Sequence, residues 1–376
     1  MLTELHVTSF KCFETLTLPL RPLTLLSGTN GGGKSSVIQS LVLLAHTLSH
    51  REWSDTLLLD GPDLALGSAA DVLNQRAARR RLSLGAGTGA QTIRWSFRAE
   101  DRRALSVELD SIEVDGEKVV PTLPLRWLLP SDWSRPRTVV DVLRRMSWVT
   151  AERTGPRELL PLRDTASHAR VGSRGELAAG LLYWREDTPV REALRKAGLP
   201  PTLFHQVRAR MQEVFPGCDL RVSPIDGASA VSLRLKSDAK AEFQRPQNVG
   251  FGLTQLFPIL VAVLAAEEGD CLLIENPEVH LHPRAQQHIG WLLAVAAASG
   301  VQVIVETHSD HVLNGLRLAT KQGRITPAEV AVHFFSPSPD GGPVQPRSPT
   351  IDADGRLSEW PDGFFDQFDL ALAELL

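Results

Sequence analysis

The chain has 376 residues, of which 43% are hydrophobic and 22% charged, a globular composition that excludes wholesale disorder and fibrous structure. Its 40 Lys and Arg against 44 Asp and Glu leave a formal net charge of −4, so no chain-wide basic excess indicates nucleic-acid binding. The three cysteines are far apart, which disfavours a disulfide framework and favours a reducing cytoplasm. We see neither a secretion signal nor an apolar run of the roughly 20 residues that a membrane-spanning helix needs, so we expect no membrane association.

The first part of the chain predicts strand, loop and helix in succession. Strand-like alternation covers residues 2–13 and 16–26, and the second strand runs directly into a glycine-rich loop. Helical periodicity follows over residues 36–48. The loop reads GTNGGGKS over residues 28–35 and matches the pattern GxxxxGK[ST] in the strand-to-helix context that a phosphate-binding loop requires. The alternative is a chance glycine loop, which this context disfavours.

The chemistry of this loop predicts nucleotide binding. Its glycines allow backbone amides to approach phosphate oxygens, and the helix N-terminus adds a favourable dipole. Lys34 is expected to neutralise the β- and γ-phosphate charge, and Ser35 to ligate Mg²⁺. Without nucleotide, we expect the Lys34 ammonium to be solvated.

The middle of the chain contains an arginine cluster, a hairpin and a helical region. For the cluster at Arg76, Arg79, Arg80 and Arg81 we favour a solvated helix face. A nucleic-acid contact is the alternative. Residues 91–120 predict strands, with a hairpin turn at residues 115–116. Helices are predicted around 138–146, 175–184 and 203–214.

The later part of the chain alternates helix and strand, which predicts a parallel sheet. The elements are helix 254–268, strand 271–275, helix 283–298, strand 301–306 and helix 310–320. Glu275 ends an apolar strand, where a Walker B acid would hold Mg²⁺. Glu278 follows three residues later and is either a second catalytic carboxylate or a charge at the entry of the next helix. His280 and His282 are weak evidence for a metal pair.

Two further segments carry candidate binding groups. His308 follows a predicted parallel strand, at the sheet edge where ligands collect, and it could donate a hydrogen bond to the γ-phosphate. The alternative is a helix cap, with Ser309 or Asp310 as the N-cap residue. The turn VGFGLTQ at residues 249–255 opens an apolar helix, whose N-terminus either binds phosphate or is a tight loop before a core helix.

Taken together, these motifs resemble one ATPase group. FKCFE, GTNGGGKSS, VGFGLTQ, LLIENPEVHLHP and VETHSDH occur in the order seen in ABC-type AAA-family P-loop ATPases of the RecF, SMC and OLD group. The chain looks most similar to stand-alone bacterial ATPases of the OLD-like branch, many known only as domains of unknown function. These resemble it also at residues 151–157, 172–176 and 360–366. Because only residues 311–376 follow the histidine motif, we expect no Toprim nuclease domain.

The resemblance implies an α/β fold: an ABC-type P-loop ATPase head with a mostly parallel core sheet, a small antiparallel sheet and a helical insertion. It implies Glu275 as Walker B acid, His308 as switch histidine and residues 250–255 as the signature segment. The implied ATP-binding residues are Gly28, Asn30, Gly31, Gly33, Lys34, Ser35, Ser36, Gly250, Gly252, Thr254 and Gln255, with Ser35 and Glu275 as Mg²⁺ ligands. ATP would be sandwiched between Walker A of one head and the signature of another, which implies a homodimer.

Two departures from the family pattern bear on activity. The signature lacks a literal SGGQ or SGGE. Asn276 stands where many ABC-type heads carry the glutamate that activates water, and an amide cannot accept a proton as a general base. Either hydrolysis is slow or Glu278 takes that role.

These expectations lead to one function and two rivals. The resemblance implies a cytoplasmic, Mg²⁺-dependent ATPase dimer that controls a separate effector protein in defence against phage or mobile DNA, or in DNA repair. The first rival is an ATP-sensing scaffold with little hydrolysis that gates a toxin or nuclease. The second is a nuclease in the insertion, using acids among Glu152, Asp164, Glu176 and Glu186, although their spacing is not that of a metal site.

We expect four segments along the chain. Residues 1–120 and 225–345 form the N- and C-terminal parts of the ATPase head, and residues 121–224 a mainly helical insertion. Residues 346–376 form a C-terminal cap that ends in a short amphipathic helix over 364–376.

Overall fold

The computed structural model describes residues 1–61, 64–76, 80–163, 170–337, 342, 344–361, 363–365, 372 and 374–375. Arg79, Asp164 and most of the predicted C-terminal helix lie outside the described residues. The chain divides into two units: unit 1 comprises Met1–Met146, Ala331–Pro349 and Glu359–Leu376, and unit 2 comprises Ser147–Val330 and Thr350–Ser358. The predicted division into a head, an insertion and a cap stays a prediction.

Unit 1 is built mainly on an antiparallel sheet. In chain order its elements are β1 (Leu2–Phe10), β2 (Phe13–Pro19), β3 (Leu23–Gly28), α1 (Lys34–His50), β4 (Thr56–Leu58), α2 (Ala69–Val72), β5 (Arg81–Thr88), β6 (Gln91–Arg98), β7 (Ser106–Val114), β8 (Glu117–Val119), β9 (Leu125–Arg126), β10 (Leu129–Pro130) and α3 (Thr138–Arg144). Seven strands form one sheet in the order β2-β1-β5-β6-β7-β4, with β8 beside β7. Alternation along β6 buries Trp95 and Phe97, as expected for a strand with one face on the core.

The N-terminal strands differ from the prediction at one point. The strand predicted over residues 16–26 is two strands, because β2 ends at Pro19 and β3 begins at Leu23. Pro22 lies in the break and has no backbone N–H to continue a ladder. The predicted hairpin at residues 115–116 is confirmed, since Val114 pairs with Glu117 across the two-residue turn.

Unit 2 carries the alternating helices and strands that the later sequence predicts. Its elements are β11 (Met146–Val149), β12 (Leu159–Pro161), α4 (Ala178–Trp184), α5 (Leu203–Val214), β13 (Asp219–Pro224), β14 (Ala230–Lys236), α6 (Phe251–Ala265), β15 (Cys271–Glu275), α7 (Pro283–Ala298), β16 (Gln302–Glu306) and α8 (Asp310–Lys321). The chain then returns to unit 1 with β17 (Val330–Phe335), which lies beside β3.

The pair β15 and β16 positions the candidate site of unit 2. The two strands are parallel, with Cys271 opposite Gln302 and Glu275 opposite Glu306. Because parallel strands end at the same edge of a sheet, the segments after Glu275 and after Glu306 emerge side by side.

Helices α7 and α8 support that edge by packing closely. A Cβ atom at Gly290 would lie 2.2 Å from the Val312 carbonyl oxygen, and one at Gly315 would lie 2.1 Å from the Gln287 carbonyl oxygen. Only glycine permits so close an approach of the two backbones. None of the helices within the described part of the chain is long and apolar enough to cross a membrane.

Candidate functional site

The glycine-rich loop of unit 1 joins β3 to α1 and has little room for side chains. A Cβ atom at Gly28 would lie 1.9 Å from the Phe335 carbonyl oxygen, and one at Gly32 would lie 2.6 Å from the same oxygen. Gly31 has a φ of +77°, and a Cβ there would meet nothing within 4 Å. Gly28 and Gly32 therefore allow the loop to pack closely against Phe335, whereas Gly31 adopts a left-handed conformation beside open space.

Lys34 is buried within this loop, which corrects the expectation that its ammonium is solvated. The residue is 4% exposed, and its Nζ donates hydrogen bonds of 2.9 Å to the carbonyl oxygens of Gly28 and Thr29. A buried ammonium needs such acceptors because desolvating an unpaired charge is very unfavourable. The loop thus holds one positive charge close to two backbone carbonyl oxygens.

The N-terminus of α1 faces a cavity suited to an anion. Its N-cap, Gly33, provides no side-chain acceptor for the helix amides, and the first turn, which is fully described, contains no acidic residue. A cavity of about 600 Å³ within unit 1 is lined by Gly31, Ser35, Asn74 and Arg76, among others. The helix dipole and the side-chain donors of Asn74 and Arg76 would suit nucleotide phosphates. The hydroxyl of the exposed Ser35 would suit a bound Mg²⁺.

The two remaining loop residues predicted to bind ATP differ in their surroundings. Asn30 is exposed at the loop tip. The Ser36 hydroxyl accepts a weak hydrogen bond from the Cys12 thiol, with 3.6 Å between sulfur and oxygen. Burial raises the pKa of the Cys12 thiol, which keeps the sulfur protonated as the donor.

Glu275, the Walker B candidate of unit 2, is held at the end of β15. Its carboxylate accepts a 2.9 Å hydrogen bond from the Trp148 indole Nε1 and a 3.2 Å bond from the Ala151 amide. Burial raises the pKa of Glu275, and these two bonds oppose the rise because they favour the ionised form. The result is an oriented, partly desolvated carboxylate of the kind that a hard cation binds.

The turn after β15 joins the two carboxylate segments. Asn276 has a φ of +44°, a left-handed conformation that asparagine tolerates better than most residues. Its side-chain amide lies 3.4 Å from Glu278 Oε1. Glu278 in turn accepts 2.7 Å and 2.9 Å hydrogen bonds from the Thr307 hydroxyl and the His308 amide. Glu278 therefore links the turn to the segment after β16. These contacts differ from those expected of a charge that only stabilises the first turn of α7.

The histidine segment contains the helix cap that was weighed from the sequence, and the phosphate contact of His308 stays a prediction. Ser309 is the N-cap of α8, and its hydroxyl accepts hydrogen bonds from the amides of His311 and Val312. The His308 side chain precedes the cap and is exposed. The cap orients the loop, and His308 presents its imidazole at the carboxyl edge of the strands.

The signature segment is mostly buried. Gly250 is exposed and Phe251 is 42% exposed, but Gly252 is buried, and a Cβ there would lie 2.7 Å from the His280 carbonyl oxygen. Thr254 bonds the Phe251 carbonyl, and Gln255 is 3% exposed. Of the four predicted nucleotide contacts in this segment, only Gly250 is placed at the surface.

Arg153 is a central residue to which the sequence analysis gave no role. The residue is 6% exposed. Its guanidinium donates to the Gln255 side chain at 3.1 Å, to the Glu275 carbonyl at 2.9 Å and to the Asn276 carbonyl at 2.8 Å. Burial lowers the pKa of Arg153 to about 10, opposed by the charges of Glu278 and Glu275, so it stays protonated at neutral pH. The AER motif at residues 151–153 was the feature of the sequence that could have identified Arg153 as a site residue.

Other candidate residues have structural surroundings. The ring of His280 packs against Phe251 at 4.6 Å, and His282 is the N-cap of α7. Glu152 pairs with Arg174 at 3.4 Å. Across the described ranges, no group of three His, Cys, Asp or Glu side chains is arranged to hold a metal ion.

The arginine cluster before β5 makes local contacts. Arg76 lies 3.7 Å from Glu14, Arg81 lies 3.4 Å from Asp110, and Arg80 donates to a backbone carbonyl. These contacts are those of a paired, solvated surface. The predicted helix is wrong for the described residues of the cluster, because Arg76 lies in a turn after α2 and Arg81 begins β5.

Comparison with family models gives two matches. A model described as AAA domain and as candidate AbiEii toxin of a Type IV TA system matches residues 23–314. A second, described as protein of unknown function (DUF3696), matches residues 325–375. The first match spans the loop, the signature segment and both strand ends.

Two curated proteins are similar to parts of the chain. The DNA replication and repair protein RecF of Corynebacterium jeikeium is 37% identical over 86 residues, 22% of this chain and 20% of that protein. The OLD nuclease of Thermus scotoductus is 43% identical over 44 residues, 12% of this chain. The chain matches only 20% and 8% of the lengths of these two relatives.

Solved structures of SMC heads share the fold. An SMC head bound to the C-terminal winged-helix domain of ScpA has a TM-score of 0.58 at 13% identity, covering 93% of this chain and 98% of that one. An SMC head with an extended coiled coil, bound to the C-terminal domain of ScpA from Pyrococcus furiosus, has a TM-score of 0.55 at 11% identity, covering 100% and 99%. The predicted α/β fold of an ABC-type head and the resemblance to the RecF, SMC and OLD group are confirmed.

Proposed function

The chain belongs to the family of AAA domains whose model matches residues 23–314, and from this premise we propose that it binds and hydrolyses Mg²⁺-ATP as a dimer that controls a separate protein. One observation carries the proposal: the buried Lys34 ammonium, held by two carbonyls at an uncapped helix N-terminus. Phosphate oxygens would be stronger acceptors for this ammonium than neutral carbonyls, because both partners would then be charged.

The metal and the hydrolytic groups follow from the same proposal. Bound Mg²⁺ would neutralise phosphate charge. We assign Ser35 and Glu275 as its ligands, since one presents an exposed hydroxyl and the other a carboxylate held in place by Trp148. His308 would donate a hydrogen bond to the γ-phosphate. Glu278 would accept the proton of the attacking water, unless Asn276 positions that water instead.

Steady turnover of ATP by the purified chain tests this function directly. We expect Mg²⁺-dependent phosphate release that is lost on chelation with EDTA and returns with added Mg²⁺. Tight ATP binding without release would contradict hydrolysis and would support the sensing scaffold.

The scaffold is the second candidate because of two observations in unit 2. The position after Glu275 is occupied by Asn276, which cannot act as a base. Both carboxylate oxygens of Glu278 already accept hydrogen bonds, from Thr307 and from the His308 amide. If these bonds keep Glu278 from the water, ATP would act as a signal that holds two heads together.

In either case we propose a homodimer, with the signature segment of one chain contacting the nucleotide of the other. Gly250 is the exposed residue of that segment and stands at the N-terminus of α6. Helix amides at such an end bind phosphate. Gly252, Thr254 and Gln255 would support the segment from within.

Gly250→Glu should prevent ATP-driven dimerisation. The new carboxylate would project into open space and would repel phosphate charge. Sedimentation of the hydrolysis-blocked Glu278→Gln variant, with and without ATP, measures the effect. Gly252→Glu is unsuitable because its side chain would clash with the His280 carbonyl.

Gly89→Glu is the matched control for that experiment. Gly89 is also exposed, and a Cβ there meets nothing within 4 Å, so the variant adds the same charge away from the signature. It should dimerise like the parent. Equal dimerisation of the Gly250→Glu and Gly89→Glu variants would rule out the sandwich.

Arg153→Ala should destabilise unit 2 and impair turnover. The change leaves buried acceptors on Gln255, Glu275 and Asn276 without their donor, which we expect to lower the free energy of unfolding by about 3 kcal/mol. Urea denaturation measures this loss. At temperatures where the variant is folded, turnover should fall more than ATP affinity, because the turn that carries Asn276 and Glu278 loses its anchor.

Arg174→Ala is the control for the loss of an arginine. Its side chain is 60% exposed and its pair with Glu152 lies at the surface, where such pairs contribute little. Equal stability and turnover of both variants would exclude a positioning role for Arg153.

The cellular role that we propose follows from the names of the similar proteins. The names of the relatives refer to DNA replication and repair and to a nuclease, and the family description refers to a toxin system. We therefore favour a cytoplasmic ATPase acting in DNA repair or in defence against phage or mobile DNA. Identifying the proteins that co-purify with the chain in the presence of ATP would test this assignment.

A further inference from the structure

Lys11 is a half-buried lysine of unit 1 to which the proposed function gives no role. It lies in the turn between β1 and β2 and lines the same cavity of about 600 Å³ as Lys34 and Ser35. Its ammonium donates a 2.6 Å hydrogen bond to the side-chain oxygen of Gln39, a neutral acceptor in α1. In the part of the chain that the structure describes, no carboxylate lies within ion-pair distance of this ammonium.

The backbone of Lys11 is held in a conformation that lysine rarely adopts. Its φ is +49°, in the left-handed region, which is disfavoured for residues with a Cβ atom. The Lys11 amide donates to the Val72 carbonyl at 2.8 Å, and the Lys11 carbonyl accepts a 2.8 Å hydrogen bond from the side-chain amide of Asn74. Asn74 is 5% exposed, so this anchor is buried. Such strain persists where the surrounding structure imposes it, and it is concentrated at ligand sites.

The surroundings of the Lys11 ammonium are better suited to a bound anion than to the neutral acceptor it now has. Burial lowers the pKa of Lys11, because desolvation disfavours the charged form. An amide oxygen compensates this loss of hydration only in part. A phosphate oxygen is a stronger acceptor, since both partners of the hydrogen bond would then be charged.

Two other charged side chains that line the cavity already have charged or polar partners. Arg76 lies 3.7 Å from Glu14. The Asp71 carboxylate accepts 2.7 Å hydrogen bonds from the Ser68 amide and hydroxyl, which cap α2. Lys11 differs from both because its partner is a neutral side-chain oxygen, which an anion in the cavity could replace.

The position of Lys11 along the loop indicates which phosphate it would meet. In the phosphate-binding pattern the lysine reaches the β- and γ-phosphates, while backbone amides hold the α- and β-phosphates. Cys12, the residue after Lys11, donates through its thiol to the Ser36 hydroxyl, beyond Lys34 and Ser35 in α1. Gln39 lies about one turn further along the same helix. A cation that approaches from this side meets the α-phosphate.

We propose that Lys11 binds the α-phosphate of the nucleotide, exchanging the Gln39 side chain for a phosphate oxygen when the nucleotide binds. The inference rests on the proposed function, since it requires a nucleotide in the P-loop cavity. The α-phosphate stays on the nucleoside side of the bond that breaks during hydrolysis, so this contact stabilises the bound substrate and the transition state to the same extent. Lys11 should therefore set nucleotide affinity and leave the rate of the chemical step unchanged.

Isothermal titration of the full chain with ADP and with a slowly hydrolysed ATP analogue, each with Mg²⁺, tests the proposal. Lys11→Met should weaken both affinities by about tenfold, as expected for the loss of one hydrogen bond between charged groups. Lys11→Arg should retain most of the affinity because it keeps a cation. In steady-state turnover, Lys11→Met should raise KM with little change in kcat.

Gln39→Leu is the matched control for a purely structural role of Lys11. It removes the acceptor of the Lys11 ammonium and leaves the ammonium in place. We expect this variant to bind both nucleotides at least as tightly as the parent chain. The melting temperature without nucleotide, measured for each variant, separates loss of folding from loss of binding. If Lys11→Met does not fold, Lys11→Gln, which keeps a hydrogen-bonding side chain, replaces it in every comparison.

The outcomes distinguish failure of this inference from failure of the proposed function. Parent-like affinity of Lys11→Met for both nucleotides would overturn the inference and leave the P-loop assignment intact. A loss for the ATP analogue alone, with ADP unaffected, would place the contact at the γ-phosphate and would overturn the assignment to the α-phosphate. Equal losses in Lys11→Met and Gln39→Leu would show that Lys11 acts only by supporting α1. A parent chain that binds neither nucleotide would overturn the proposed function and this inference together.

Discussion

Lys34→Ala should abolish ATP binding by this chain. The P-loop would lose the side-chain charge that it holds at its centre, between the carbonyls of Gly28 and Thr29. Charge-assisted bonds to phosphate contribute more than neutral ones, so we expect ATP affinity to fall by at least 100-fold. Isothermal titration with a slowly hydrolysed ATP analogue and Mg²⁺ measures the loss. ATP affinity unchanged by the substitution would remove the basis for the P-loop assignment.

Burial of Lys34 adds a second expected result. Truncation leaves two loop carbonyls without their partner, so the variant should also melt at a lower temperature without nucleotide, by an amount corresponding to about 1–3 kcal/mol. Lys118→Ala removes an exposed lysine of the same unit and should change neither the melting temperature nor ATP binding.

Ser35→Ala separates folding from binding in the same loop. The Ser35 hydroxyl is exposed, so its removal should leave the melting temperature unchanged while weakening the Mg²⁺-dependent part of ATP binding. If Lys34→Ala unfolds the chain, this variant still tests the nucleotide site.

Glu278→Gln should slow hydrolysis by roughly 100-fold while ATP still binds, because loss of a general base typically has an effect of that size. The ATP-bound dimer should then accumulate. Phosphate release and sedimentation measure the two effects. Thr307→Val is the control, since it removes one hydrogen bond to Glu278 but keeps the carboxylate, and it should slow turnover much less.

The neighbouring residues should respond differently to substitution. Glu275→Gln should weaken Mg²⁺-dependent binding and turnover together, since it removes a charged ligand. If Glu278→Gln hydrolyses ATP normally while Asn276→Ala is inactive, the amide positions the water and the role given to Glu278 is wrong. If the parent chain itself barely hydrolyses ATP, the sensing scaffold becomes the better account.

Much of the local structure was predictable from the sequence because its signals are local. The apolar run before Glu275 and the periodicity over Leu203–Val214 and Pro283–Ala298 reproduce the observed bounds, since each reflects one buried face or strand. The P-loop was equally clear because its four specified residues, Gly28, Gly33, Lys34 and Ser35, fit one pattern with a known geometry. Adjacency of the Glu275 and His308 segments followed from the rule that parallel strands end at one edge.

The antiparallel sheet of unit 1 was less predictable. Alternation indicated strands around Gln91–Arg98, but not that β1 pairs with β5, which begins far along the chain at Arg81. A period of two reports which residues share a face and carries no information on which strand lies beside which.

The sequence by itself determined the identity of the phosphate loop, the order of strands and helices in unit 2, and the acidic and histidine residues at the strand ends. Only the tertiary structure decided that Lys34 is buried, that Arg153 joins Gln255 to the turn after Glu275, and that the Arg126 guanidinium lies over the Trp53 ring. Each of these contacts depends on how distant segments, or a loop and its own carbonyls, are brought together in space. Hydrophobic periodicity and turn chemistry act over a few residues, whereas the partner of a buried charge is selected by the packing of the whole unit.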